Sequence, residues 1–209
     1  MPLYRTYDLN GVSVSLWKVT EDEEALCSLA GLDYAVERGR FSAASRRLEW
    51  LAVRALLMQV YGTNQVEYDA NGRPSLVGVS GYISISHTLG YVAVAFSQSH
   101  DVGVDVELVT RRVGAVARRF MRDEELFGIP CECANNAKLL RWTASEALFK
   151  LVGDLGGNYR DNILVSNYPA AASGGFEMLI IGLPVCDGWR FWADFLFSGE
   201  LLVTVCRAA

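Results

Sequence analysis

Histidine and lysine are scarce in this 209-residue chain, which has only His87 and His100 and only Lys18, Lys138 and Lys150. Two histidines exclude a multi-histidine metal site. Basic residues also fall short of acidic ones, 19 against 24, for a net charge of −5. A nonspecific nucleic-acid binder needs the opposite balance, because its affinity comes from counterion release. No apolar run reaches the ~18 residues of a membrane helix, so neither nucleic acid nor membrane is an expected partner. The opening Met1-Pro2-Leu3-Tyr4-Arg5 lacks the apolar core of a secretory leader, and a cytoplasmic location is expected. Five cysteines are an odd number, and buried thiols in a reducing compartment are the expectation. Cys131-Glu132-Cys133 has the wrong spacing for a zinc knuckle.

What is present is an ordinary globular composition, 51% apolar and 21% charged, long enough for one large domain or two small halves. Sixteen of the basic residues are Arg, whose planar fork suits phosphate, although compositional bias accounts for an Arg excess equally well. They cluster in two stretches: Arg38, Arg40, Arg46, Arg47 and Arg54, then Arg111, Arg112, Arg118, Arg119 and Arg122. Such clusters in an acidic chain fit either focused anion handling or two solvated helix faces.

Periodicity predicts a long helix over 42–61, with Ser42 as its cap and Gly62 as its stop. Strand-like runs at 82–86, 91–96 and 102–107 read as an antiparallel meander. Helices follow at 112–121 and 136–152, then strands at 163–166, 176–182, 189–197 and 200–206. The expected fold class is α+β, with two similar halves at 1–108 and 109–209. Each half is a small antiparallel sheet packed with a long helix.

Three segments carry chemistry. In Val102-Gly103-Val104-Asp105-Val106-Glu107, strand alternation puts both carboxylates on one face, about 7 Å apart. Two such acids suit a hard cation such as Mg²⁺, or are simply the polar face of a solvated strand. In Trp142-Thr143-Ala144-Ser145-Glu146-Ala147-Leu148-Phe149-Lys150, Glu146 and Lys150 share one helix flank, the spacing of a surface ion pair. In Ile83-Ser84-Ile85-Ser86-His87 a strand ends in Ser-His, and alone His87 reads as a strand-end histidine.

Taken in order, Gly72-Arg73-Pro74, Ser86-His87, Gly103-x-Asp105-x-Glu107 and Trp142-x-x-x-Glu146-Ala147-x-x-Lys150 say more. The sequence resembles the 4′-phosphopantetheinyl transferases, whose motifs are a G-K/R-P turn, an S-H pair, a V-G-V/I-D-x-E strand and a W-S/T-x-K-E-A-x-x-K helix. The length resembles that of the longer subgroup of two fused, pseudo-two-fold halves with the active site at their interface, working as a monomer. The resemblance implies transfer of phosphopantetheine from coenzyme A to a serine of an acyl or peptidyl carrier protein. It implies that Asp105, Glu107 and Glu146 hold Mg²⁺, that Glu146 is also the base, and that Lys150 meets the pyrophosphate. Arg73, Ser86 and His87, with Arg46 or Arg47 and Arg54, correspond to contacts for the adenosine end. Glu124 matches an acidic family position outside this core set. The 112–125 region and the 144–152 helix are expected to meet the carrier.

One position departs from the pattern: Ser145 stands where the family has Lys. Arg141, one turn earlier, is the candidate to refill that space with positive charge. The alternative is a degenerate member that binds coenzyme A or a carrier without efficient transfer.

Overall fold

Asn10 and Gly11 both adopt positive φ, 52° and 85°, the turn that folds β1 (Leu3–Leu9) back on β2 (Val12–Lys18). The computed structural model describes residues 3–127, 134–154, 156–165 and 171–209, so Cys131 and Cys133 lie outside the described residues. The chain divides into two compact units, Met1–His100 and Asp101–Ala209. Helices and several antiparallel sheets make up both, the expected α+β class. Cys27, Cys186 and Cys206 are buried free thiols. None of the described helices is long and apolar enough to cross a membrane.

In the first unit, α1 (Glu23–Ala30), α2 (Tyr34–Glu37) and α3 (Ala44–Tyr61) follow the opening hairpin. The short strands β3 (Val66–Tyr68) and β4 (Pro74–Leu76) pair with each other, and β5 (Tyr82–Thr88) pairs with β6 (Tyr91–Ser97). The main sheet runs β1-β2-β6-β5. Leu51, Ala52, Ala55 and Leu56 of α3 pack with Trp17, Val92 and Val94 to form the core. Gly62 ends α3 at φ 71°, its N–H bonding Met58 O. Its cap position is Ala43 rather than Ser42, without a side-chain capping bond.

The second unit contains β7 (Val102–Leu108), a 3₁₀ turn at Gly114–Arg119, α4 (Asp123–Phe127), α5 (Ala134–Val152) and α6 (Tyr159–Asn162). Strands β8 (Ile163–Val165), β9 (Ser173–Ile180), β10 (Arg190–Ser198) and β11 (Leu201–Ala208) complete it. The sheet order is β7-β11-β10-β9-β8. The helix expected over 112–121 is instead a 3₁₀ turn at Gly114–Arg119, and the next helix starts only at Asp123.

The expected meander over 82–107 is corrected. Both edges of β6 are taken, one by β5 and the other by β2, so β7 has no place beside it and pairs with β11 instead. The Asp-x-Glu strand accordingly lies within the Asp101–Ala209 unit.

Candidate active site

Strand β7 meets α5 through a glycine. A Cβ at Gly103 would lie 1.9 Å from the Ala147 carbonyl oxygen and 3.0 Å from Leu151 N, distances no side chain tolerates. Glycine therefore lets the helix backbone rest directly on the strand. By alternation Asp105 and Glu107 share the Gly103 face. Asp105 and Glu107 are only 6% and 5% exposed, which rules out the solvated-strand reading.

Each of these acids meets a cation. Lys150 Nζ, from α5, donates to Asp105 Oδ1 and to Val104 O, both at 2.9 Å. Arg111 pairs with Glu107 and lies 5.6 Å from the centroid of the Trp142 ring. Burial pushes the half-buried Glu146 carboxyl above its ordinary range, and the Asp105 charge pushes it the same way. Lys150, a Tyr159 hydroxyl bond and Arg111 pull it back. Asp105, Glu146 and Lys150 therefore act on one another. Tyr159 and Arg111 join them without having been singled out from sequence as site residues. A tyrosine nine residues beyond a motif carries no local signal, whereas Arg111 stands one helical turn's spacing from Glu107.

Among the described residues, no three His, Cys, Asp or Glu side chains form a group that could hold a metal ion. The donor chemistry nevertheless suits a hard cation: Asp105, Glu107 and Glu146 offer carboxylate oxygens, and the Asp105 charge helps disfavour ionisation of Glu146.

Ser145 faces away from this cluster. It is fully buried and receives a hydrogen bond from Arg141 Nη1, while its own hydroxyl donates to Arg141 O. Arg141 is also fully buried. Its Nε donates to Glu125 at 3.1 Å, and its Nη2 to Tyr159 O and Ile163 O at 2.9 and 3.0 Å. The expectation that Arg141 supplies positive charge for a ligand is corrected: its guanidinium does reach Ser145, but it is fully buried and engaged by Glu125, Tyr159 and Ile163 of the same unit. The neighbouring acid it engages is Glu125, while Glu124 is exposed.

The remaining site residues all fall in the first unit. Arg47 pairs with Glu23 at 3.0 Å and donates to Phe41 O and Ser42 O, whereas Arg46 is exposed beside the Phe41 ring. Arg54 is buried and stacks on Trp50, 4.4 Å from the ring centroid, as does Arg40 at 4.3 Å. Burial lowers the Arg54 pKa. Ser86 is buried in β5, and His87 Nδ1 lies 3.5 Å from Glu49. Arg73 lies in the β3–β4 turn, its N–H bonded to Asp69 Oδ1 at 2.9 Å.

A family model described as the 4′-phosphopantetheinyl transferase superfamily matches residues 101–206, half of the chain. That span contains Asp105, Glu107, Arg111, Glu146, Lys150 and Tyr159. No curated protein matches the chain.

Proposed function

The chain belongs to the 4′-phosphopantetheinyl transferase superfamily, and we propose that it moves 4′-phosphopantetheine from coenzyme A to a serine of an acyl or peptidyl carrier protein. The observation carrying this reading is the cluster of Asp105, Glu146 and Lys150 within the matched span. In the proposed reaction the serine oxygen attacks the phosphorus bearing pantetheine, and the bond to adenosine 3′,5′-bisphosphate breaks. Glu146 takes the serine proton; a carboxylate made more basic by burial suits that task. In this reading the Lys150 ammonium offsets the charge developing on the departing phosphate. Asp105 holds Lys150 in place through the 2.9 Å contact.

Asp105, Glu107 and Glu146 are the residues proposed to hold Mg²⁺. Bound there, the ion would draw together carboxylates and pyrophosphate that otherwise repel. Arg46, Arg54, Arg73, Ser86 and His87 are proposed for the adenosine end, with Arg46 favoured over Arg47 because Arg47 is engaged by Glu23 and two carbonyls. The exposed Arg112, Arg118 and Arg119 suit an acidic carrier.

Incubation with Mg²⁺, fluorescent coenzyme A and a panel of apo carrier proteins tests the proposal. Labelled carrier is expected, and Glu146→Gln should remove most of it. Coenzyme A binding without labelling of any carrier would replace the enzyme with a binding module.

A further inference from the structure

Trp142, Glu146 and Lys150 follow one another at four-residue steps along one flank of α5. Arg111 closes the Trp142 end of that row. Its guanidinium lies over the Trp142 ring, 5.6 Å from the centroid, and its Nη1 donates to Glu107 Oε1. The ring itself is held edge-on against Phe120, centroids 5.2 Å apart. The backbone of Arg111 is tied on both sides. Its N–H donates to Leu108 O at 2.9 Å, and its carbonyl accepts from Asn135 Nδ2 at 3.4 Å. The two ends of the ion pair differ sharply in access to water: the Glu107 side chain is 7% exposed and that of Arg111 is 47% exposed.

We infer that Arg111 is an exchangeable counter-ion of Glu107, which surrenders the carboxylate to a divalent cation and then turns to the coenzyme's phosphates. This rests on Asp105, Glu107 and Glu146 being the residues that hold the cation. A buried carboxylate is costly without a positive partner, and the guanidinium supplies one. A guanidinium and a dication on the same carboxylate repel each other, so each weakens the hold of the other.

Arg111 is built to yield. Its side chain is half-exposed on a fixed backbone, so it swings toward solvent or an anion without moving the chain. Its planar fork fits phosphate oxygens as it fits carboxylate. Lys150 is placed differently, because its ammonium is bonded to Asp105 Oδ1 and to Val104 O and is less exposed. The exchange couples the two ligands. Coenzyme A draws Arg111 off Glu107 and thereby strengthens cation binding, and the cation favours the coenzyme by the same factor.

Mn²⁺ takes the same hard oxygen ligands as Mg²⁺, and the electron paramagnetic resonance of the free ion reports its binding without turnover. In Arg111→Gln, Mn²⁺ affinity in the absence of coenzyme A is expected to rise about 3- to 10-fold, as one partly screened positive charge is removed. The factor by which coenzyme A enhances Mn²⁺ binding should fall about as much. Equal or weaker Mn²⁺ binding by a folded Arg111→Gln protein would overturn the inference and make Arg111 a fixed support of Glu107. Arg111→Lys keeps Glu107 neutralised and serves if the glutamine variant is unstable. Lacking the fork, it should lose part of the coenzyme A enhancement, and an enhancement equal to the parent's would also overturn the inference. Failure of the parent protein to bind Mn²⁺ even with coenzyme A would remove both this inference and the cation site on which it rests.

Discussion

The carbonyl oxygen of Ala147 lies 1.9 Å from the position of a Cβ at Gly103, so strand β7 and helix α5 touch backbone to backbone. Every acid and base of the proposed catalytic set stands on these two elements. Gly103→Ala is expected to destabilise the protein by about 2 kcal/mol or more, because neither backbone has room to yield. Urea denaturation measures the loss, and unchanged stability would mean that the contact is looser than described.

The Asp105–Lys150 pair separates stability from function. Lys150→Met leaves the Asp105 side chain, 8% exposed, without its ammonium, and should cost about 2–4 kcal/mol. Adding Asp105→Asn to Lys150→Met removes the buried charge that lost its ammonium and should recover much of that stability. Carrier labelling should remain absent in both. A double variant as unstable as the single one would refute the pairing.

Ser145→Lys, which installs the family residue, is expected to harm the protein. Ser145 is fully buried against the Arg141 guanidinium, so a second cation there should cost roughly 3 kcal/mol. Arg141→Met should cost a similar amount by removing the guanidinium that Glu125 Oε1 and the Tyr159 and Ile163 carbonyls accept from. A Ser145→Lys variant that melts like the parent and labels faster would contradict this arrangement.

Alkaline stability should follow Tyr61, whose hydroxyl burial pushes up to about 12. An unfolded tyrosine ionises near pH 10, so the folded state holds this proton more tightly. The contribution is complete below about pH 10 and is lost as pH rises from 10 to about 12. Tyr61→Phe should flatten that part of the stability–pH curve, and an identical decline in the variant would assign it to other groups.

Chelation should stop carrier labelling, and added Mg²⁺ should restore it, because the Asp105 charge already acts against that of Glu146 and a pyrophosphate would add more negative charge. Asp105→Ala should abolish the Mg²⁺-dependent part. Full labelling in excess EDTA would remove Mg²⁺ from the reaction.

Motif spacing and periodicity alone made α3, α5, the β5–β6 hairpin and the charged residues of β7 and α5 legible. These are local patterns: a two-residue alternation, a four-residue helical step and a glycine after the last helical turn. The β1–β2 hairpin had a local signal as well, Asn10-Gly11, and only the tertiary structure used it to fill the free edge of β6. That occupation sends β7 to β11.

The structure also decided which charges act on one another. Asp105 and Lys150 are 45 residues apart, and Arg141 reaches carbonyls at 159 and 163. Sequence spacing governs neighbours along one element. Burial and the meeting of separate elements are set by the packed core, and they made Arg141 an internal brace and brought Tyr159 to Glu146. Of the three lysines in the chain, Lys150 stands at the centre of the proposed chemistry. The sequence named that lysine, and the 2.9 Å contact with Asp105 showed what it faces.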